Sequence, residues 1–247
     1  MRYFIELSYN GKVYHGWQNQ PNAISVQQVL EEALSILLQD KIEIVGAGRT
    51  DAGVHAKQMY AHFDCDILFD IAQLIYKLNS FLPKDVAIHN IFKVKPAAHA
   101  RFDALSRTYH YKISTSKNAF NFDFAYEMHL PLDVDKMNDA CKILLAYNDF
   151  QCFSKSNTDV KTYHCKIEMA NWYVENDTLT FVITADRFLR NMVRAIVGTL
   201  INIGLGKLEV DDLHTIIKSK DRSEAGFSVP AHGLYLTKII YPDTIAL

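Results

Sequence analysis

Residues 25–37 read Ser-Val-Gln-Gln-Val-Leu-Glu-Glu-Ala-Leu-Ser-Ile-Leu, and this segment has the clearest secondary-structure pattern in the chain. Ser25 followed three residues later by Gln28 is a capping box, which predicts a helix N-terminus at Ser25. Apolar residues then recur with the helical period, at Val26, Val29, Leu30, Ala33, Leu34 and Leu37. A helix near 25–39 therefore follows a strand-like segment near 2–9.

Strands and helices alternate outward from this helix, and the order occurs twice. The first half has predicted strands near 2–9, 42–47, 58–65 and 86–94, with a second helix near 70–80. The second half has predicted strands near 106–114, 164–175, 178–185 and 234–240, with helices near 134–146, 187–204 and 211–218. We predict an α+β fold of two similar halves, 1–104 and 105–247. Each half would be a mainly antiparallel sheet with helices on one face, and the active-site cleft would lie between them.

Composition excludes several classes of protein. A chain of 247 residues with 49% hydrophobic content can bury a large core. No apolar stretch approaches the roughly 20 residues of a membrane-spanning helix, and the N-terminus shows no signal-peptide pattern, so we expect a cytoplasmic protein without a membrane partner. The cysteines have no C-x-x-C spacing, which argues against a zinc site: Cys65, Cys141, Cys152 and Cys165.

The net charge of −2 is low for a nucleic-acid-binding protein, which is usually basic overall. Basic residues nevertheless cluster in two segments that contain no carboxylate, 104–122 and 187–208. A local basic groove can attract a phosphate backbone, since screening over about 8 Å limits the influence of distant acids. The charge pattern is therefore compatible with a nucleic-acid ligand.

Residues 48–56, Gly-Arg-Thr-Asp-Ala-Gly-Val-His-Ala, carry the strongest functional signal. Residues two apart in an extended segment point the same way, so Arg49 and Asp51 can share one face and the guanidinium can keep the carboxylate ionised. Such a carboxylate can act as a nucleophile at an electron-poor carbon or as a base. The alternative is a surface turn in which Asp51 caps its own backbone and Arg49 is solvated.

Arg187, Arg190 and Arg194 recur at spacings of three and four along the helix predicted near 187–204. We expect them to form one stripe, with Asp186 as the N-cap and the opposite, apolar face buried against the sheet. A solvated basic face without a ligand is the alternative interpretation.

Alternation along the strand near 106–114 places Tyr109 and Tyr111 on one side and His110 on the other. One of the two tyrosines could stack on an unpaired nucleobase, because every base has a π face. A plain core aromatic is the alternative. Structural or surface roles are expected for the histidines, including His55, since they form no catalytic triad or metal-ligand pattern.

Four motifs occur in matching order: the run 48–56, Arg-Thr-Tyr-His-Tyr at 107–111, Phe-Leu-Arg-Asn-Met-Val-Arg at 188–194, and Gly-Leu-Tyr-Leu at 233–236. Together they resemble the TruA family, the tRNA pseudouridine synthases of the anticodon stem-loop. The resemblance covers nearly the whole chain, from Tyr9-Asn10-Gly11 and Gly16-Trp17-Gln18 to Tyr241-Pro242.

The resemblance implies a role for each candidate residue. Asp51 would be the catalytic group, with Arg49 beside it and Arg194 reaching it from the basic helix. Tyr109 would lie against the target uracil, and Leu234, or alternatively Leu236, would close the pocket. The remaining substrate-binding residues would be Arg107, Arg187 and Arg190. The resemblance also implies a homodimer that modifies uridines 38 to 40 of the tRNA and requires no cofactor and no metal.

Two other functions remain open from the sequence. An RNA-binding paralogue could keep the cleft and lack turnover, although the intact Arg49 and Asp51 argue against it. A metal-free carboxylate hydrolase would need a partner acid, and the motifs place no second carboxylate. The catalytic route also stays open, because Asp51 could attack the ribose C1′ or remove the C2′ proton to give a glycal.

Overall fold

The computed structural model describes residues 1–156 and 160–247. In this part of the chain, five α-helices accompany mainly antiparallel β-structure, as the α+β prediction requires. The residues form two compact units, one of Met1–Leu105 with Leu236–Leu247 and one of Ser106–Tyr235. The final residues, which the sequence-based division groups with the second half, thus pack with the first unit.

The first unit is an antiparallel sheet with two helices. Its elements are β1 (Arg2–Tyr9), α1 (Val26–Leu38), β2 (Ile44–Gly46), β3 (His55–Asp64), α2 (Ile71–Phe81) and β4 (Val86–Lys93). β1 lies between β4 and β3 and pairs antiparallel with both, while β2 pairs with β3. The predicted helix N-terminus at Ser25 is confirmed, because the Ser25 hydroxyl accepts the Gln28 N–H at 3.1 Å, while the Gln28 side-chain amide donates to Glu32 at 2.9 Å.

The second unit has β8 as its central strand. Its elements are β5 (Ser106–Ser114), β6 (Tyr126–Glu127), α3 (Val134–Leu144), β7 (Ile167–Glu175), β8 (Thr178–Ala185), α4 (Met192–Gly204) and α5 (Asp212–Ser219). β8 pairs antiparallel with β5 and β7, and the two-residue β6 runs parallel to β5. The last strand, β9 (Leu234–Ile240), begins in this unit and continues into the first.

The start of α4 differs from the prediction. The helix begins at Met192, and Asn191 before it has a left-handed φ of 66°. Asp186 does not cap it, because its carboxylate accepts the N–H groups of Arg187 at 2.7 Å and of Lys166 at 2.8 Å. The predicted stripe is therefore wrong: Arg194 lies in the helix, whereas Arg187 and Arg190 precede it.

α4 is almost entirely buried, and this burial depends on a close approach of backbones. A Cβ at Gly198 would overlap the carbonyl oxygen of Phe227, so only glycine fits there. The adjacent Thr199 hydroxyl accepts the Gly226 N–H at 2.8 Å. The segment around 225–229 is thereby fixed against the helix.

The chain has two segments that we interpret as loops, residues 118–124 and 154–162, and the structure describes the first completely and the second in part. Asn118–Phe124 is a succession of turns, closed by the Phe124 N–H on the Asn121 carbonyl at 2.9 Å. Residues 157–159 of the other predicted loop, 154–162, lie outside the described residues.

Candidate active site

Asp51 lies in a tight turn between β2 and β3. The Val54 N–H donates to the Asp51 carbonyl at 3.2 Å, and Gly53 has a φ of 79°. A positive φ at the third of four residues is what a type II turn requires, and glycine adopts it without steric cost. The Asp51 side chain is half-buried. The predicted turn and the functional interpretation are therefore compatible, because a residue of this turn can remain partly exposed.

A segment far away in sequence, residues 9–17, holds this turn through its backbone. The Gly53 N–H donates to the Tyr14 carbonyl at 3.3 Å, and the Trp17 N–H donates to the Thr50 carbonyl at 3.3 Å. The hydroxyls of Tyr9 and Thr50 are 2.9 Å apart. We call residues 9–17 the clamp segment, since they fix the residue before Asp51 and the residue two after it.

Two glycines allow the clamp segment to approach so closely. A Cβ at Gly11 would overlap the Val54 carbonyl oxygen, and a Cβ at Gly16 would overlap that of Thr50. Gly16 also has a φ of 90°, which disfavours any other residue. Sequence reasoning used these glycines only as markers of resemblance.

Arg49 has an exposed side chain, and the structure forms no ion pair between it and Asp51 among residues 1–156 and 160–247. Gly48 beside it has no atom within 4 Å of an added Cβ. A side chain at position 48 would thus meet open space. The catalytic role of Arg49 stays a prediction.

In the second unit, β5 carries the two tyrosines. The Tyr109 ring is partly exposed and meets Phe188 edge to face, with centroids 5.1 Å apart and planes at 87°. The Tyr111 ring is fully buried, and its hydroxyl donates to the Pro230 carbonyl at 3.0 Å. Burial raises the pKa of Tyr111 far above its ordinary value. Of the two rings, only that of Tyr109 can therefore meet a ligand.

Arg107 ties β5 to the segment that precedes α4. Its guanidinium donates to the Asp186 carbonyl at 2.7 Å. Arg187 follows as a half-buried residue and Arg190 as an exposed one, and the Arg190 carbonyl accepts the Lys155 N–H at 3.0 Å. Arg187 and Arg190 are thus close in sequence to Phe188, whose ring contacts that of Tyr109.

Arg194 lies in the first turn of α4. Its Nε donates to the Val229 carbonyl at 2.7 Å, and the Val229 N–H donates back to the Arg194 carbonyl at 3.3 Å. The stem of this side chain is therefore fixed by the segment packed on α4. Leu234 is buried and belongs to the same unit as Tyr109, whereas Leu236 belongs to the first unit.

The candidate residues divide between the two units. Asp51 and Arg49 are in the first, and the second contains Arg107, Tyr109, Arg187, Arg190, Arg194 and Leu234.

No group of three or more potential metal ligands occurs within residues 1–156 and 160–247. All four cysteines are buried as free thiols, and burial raises the pKa of Cys152 and Cys165 to about 12. None of the helices in the described ranges has the length and apolar character needed to cross a bilayer.

Comparison with known proteins identifies the family. The sequence profile of the tRNA pseudouridine synthases matches residues 7–103 and 140–242. The chain is 54% identical to the tRNA pseudouridine synthase A of Parabacteroides distasonis over 245 residues, 99% of this chain and 97% of that protein. It is 52% identical to the enzyme of that name from Porphyromonas gingivalis over 250 residues, 100% of this chain and 99% of that protein. For the Bacillus subtilis protein of that name, identity is 38% over 247 residues, 98% and 100% of the two chains.

The chain therefore belongs to the tRNA pseudouridine synthase family. This confirms the resemblance found in the motifs and the enzyme class that it predicts, an RNA pseudouridine synthase.

Proposed function

We propose that this protein isomerises uridine to pseudouridine in the anticodon stem-loop of tRNA, at positions 38 to 40, with Asp51 as the catalytic group and without a cofactor. Family membership and the names of the relatives support the reaction and the tRNA substrate. One structural observation supports the role of Asp51: its turn is fixed on both sides by the clamp segment while Asp51 stays partly exposed.

The reaction breaks the bond between the ribose C1′ and N1 of uracil and forms a bond between C1′ and C5. In one route, a carboxylate oxygen of Asp51 bonds to C1′ as N1 leaves with the electron pair. In the other, Asp51 removes the C2′ proton as N1 leaves with its electron pair, and a glycal forms. In both routes the base then turns and C5 bonds to C1′. The Asp51 oxygen leaves C1′ in the first route, and C2′ regains a proton in the second. The C5 proton departs and N1 gains a proton. The substrate and the product are isomers, so the reaction needs no external oxidant or reductant.

The detached base must stay beside the sugar until the new bond forms. Tyr109 supplies a partly exposed aromatic ring for stacking, and Leu234 supplies an apolar side chain in the same unit. Extruding a nucleotide from a stem costs a few kcal/mol, which phosphate contacts offset. Arg107, Arg187 and Arg190 are the residues that we assign to substrate binding, and Arg49 and Arg194 are the further residues that we assign to catalysis.

The proposal is tested with tRNA that carries tritium at C5 of its uridines, because formation of the new bond releases that tritium to water. Wild-type protein should release it, and Asp51→Asn should release none above background while it still binds tRNA. Asp40→Asn is the matched control, since Asp40 is an exposed aspartate just beyond α1. Full release by Asp51→Asn would contradict the assignment of Asp51. Binding of tRNA by wild-type protein without any release would indicate an RNA-binding paralogue.

We also propose a cytoplasmic homodimer, as the family resemblance implies. Light scattering of the purified protein at micromolar concentration should give twice the mass of 28.2 kDa. A mass of one chain at micromolar concentration would contradict the proposed dimer.

A further inference from the structure

His55 begins β3, four residues after Asp51, and its side chain is almost fully buried, with 2% exposed. Its Nδ1 lies 3.1 Å from the backbone nitrogen of Gly11 in the clamp segment. A backbone N–H can only donate, so Nδ1 must accept with its lone pair. In the neutral ring the proton is then on Nε2.

This contact is the first link in a continuous hydrogen-bonded path to the Asp51 turn. The Gly11 carbonyl accepts the Tyr14 N–H at 3.1 Å, and the Tyr14 carbonyl accepts the Gly53 N–H at 3.3 Å. Gly53 is the third residue of the turn that begins at Asp51. His55 therefore acts on the same short loop from both ends, directly through the chain and indirectly through the clamp segment.

We propose that His55 is a positioning residue for Asp51: its unprotonated Nδ1 fixes the Gly11 backbone, and the clamp segment then fixes the carboxylate. This role rests on the proposed function of Asp51. Removing the acceptor would leave the Gly11 N–H buried and unpaired, and the clamp segment would shift to satisfy it. A displacement of a reacting group by about 1 Å can lower a rate by about 100-fold.

The same strand offers a matched control. His62 lies seven residues further along β3, is 5% exposed, and accepts the Ala100 N–H on its Nδ1 at 3.1 Å. It thus makes the same kind of buried hydrogen bond at the same distance. In strand register His62 pairs with Phe4 of β1 and Val45 of β2, which lie outside the turn of Asp51 and the clamp segment.

The test compares His55→Gln, His55→Asn and His62→Gln by tritium release under multiple-turnover conditions. The amide oxygen of asparagine occupies roughly the place of Nδ1, whereas that of glutamine reaches the place of Nε2. We expect His55→Gln to lose about tenfold or more in kcat with KM for tRNA nearly unchanged, as misplacement of a reacting group predicts. His55→Asn should keep kcat within about threefold, since the acceptor is retained.

His62→Gln should lower the thermal midpoint about as much as His55→Gln and leave kcat unchanged. Equal losses of kcat in the two glutamine variants, or failure of asparagine to restore kcat, would overturn the positioning role. If His55→Gln does not fold, ¹⁵N-labelled histidine in the wild-type protein decides the question, because a proton found on Nδ1 of His55 would exclude the proposed hydrogen bond. A wild-type protein without tritium release would instead refute the proposed function.

Discussion

Tyr109 and Phe188 meet edge to face, with ring centroids 5.1 Å apart and planes at 87°, although 79 residues separate them in the chain. This arrangement is a favoured aromatic geometry, worth about 0.5–1.5 kcal/mol beyond buried area. The Phe188 ring restrains the Tyr109 ring on one side and leaves part of it accessible. Phe188 therefore supports the ring that we assign to the flipped base.

From this pair we predict that Tyr109→Leu lowers kcat for pseudouridine formation by about tenfold or more and weakens tRNA binding less, because stacking of the detached base, worth about 1–3 kcal/mol, is lost after binding. Single-turnover tritium release and filter binding measure the two quantities. Tyr111→Phe is the control, since it removes only the hydroxyl bonded to Pro230. A larger loss of affinity than of rate in Tyr109→Leu would contradict this placement.

Gly11→Ala should destabilise the first unit and lower activity together. Its added Cβ would overlap the Val54 carbonyl oxygen, so the clamp segment must move away from the turn of Asp51. We expect a loss of about 1–3 kcal/mol, as for other overpacked positions. Urea unfolding measures it. Gly48→Ala is the control for stability, because nothing lies within 4 Å of its Cβ; an equal loss there would remove the steric explanation.

Arg187→Gln and Arg190→Gln should each weaken tRNA binding and reduce the slope of log K against log salt by about 1, if each side chain contacts one phosphate. Binding measured between low and moderate salt gives the slope. Lys142→Gln provides a cationic control on α3, since Lys142 is exposed and paired with Asp139 at 2.7 Å. An unchanged slope in both arginine variants would exclude phosphate contacts by these residues.

His62 makes stability depend on pH. Burial, with further contributions from Arg2 and His99, lowers the pKa of His62 from 6.5 to about 4, while Asp64 and Asp103 oppose the shift. The unfolded chain therefore binds the proton more readily. This contribution to stability is complete above pH 6.5 and is lost as the pH falls toward 4.

Between pH 7.5 and pH 5, this one group should lower the free energy of unfolding by about 2 kcal/mol. Urea midpoints at the two pH values measure the change. His62→Asn keeps an acceptor for the Ala100 N–H and removes the ionisation, so it should lose correspondingly less stability over the same interval. An identical pH dependence in the two proteins would show that His62 is not the group responsible.

Local sequence patterns predicted most of the secondary structure. The capping box at Ser25 and the apolar period after it gave α1 within a residue or two, and β1 and β5 were predicted at their observed bounds. The start of α4 was wrong because the apolar period continues backward through Phe188. The Asp186 carboxylate accepts hydrogen bonds from the backbone N–H groups of Lys166 and Arg187 and does not cap the helix.

The support of the candidate site was not predictable in the same way. Motifs predicted Asp51 and Tyr109 as site residues, since the proposed chemistry requires particular residue types. The clamp segment acts through backbone hydrogen bonds between residues more than 30 apart, as from Trp17 to Thr50. Nearly every residue carries the same backbone N–H and C=O groups, so a pattern of side chains in the sequence does not predict which of these groups pair.

The two tryptophans of the chain give each unit its own optical reporter. Trp17 belongs to the clamp segment, is 2% exposed, and lies so close to Gly46 that a Cβ there would overlap its indole ring. Trp172 is equally buried in the second unit, with its ring 5.0 Å from that of Phe181. In a Trp172→Phe protein, Trp17 would be the source of all tryptophan fluorescence. A shift of its emission maximum to longer wavelength would then report that the clamp segment and the loop of Asp51 have become more exposed to water.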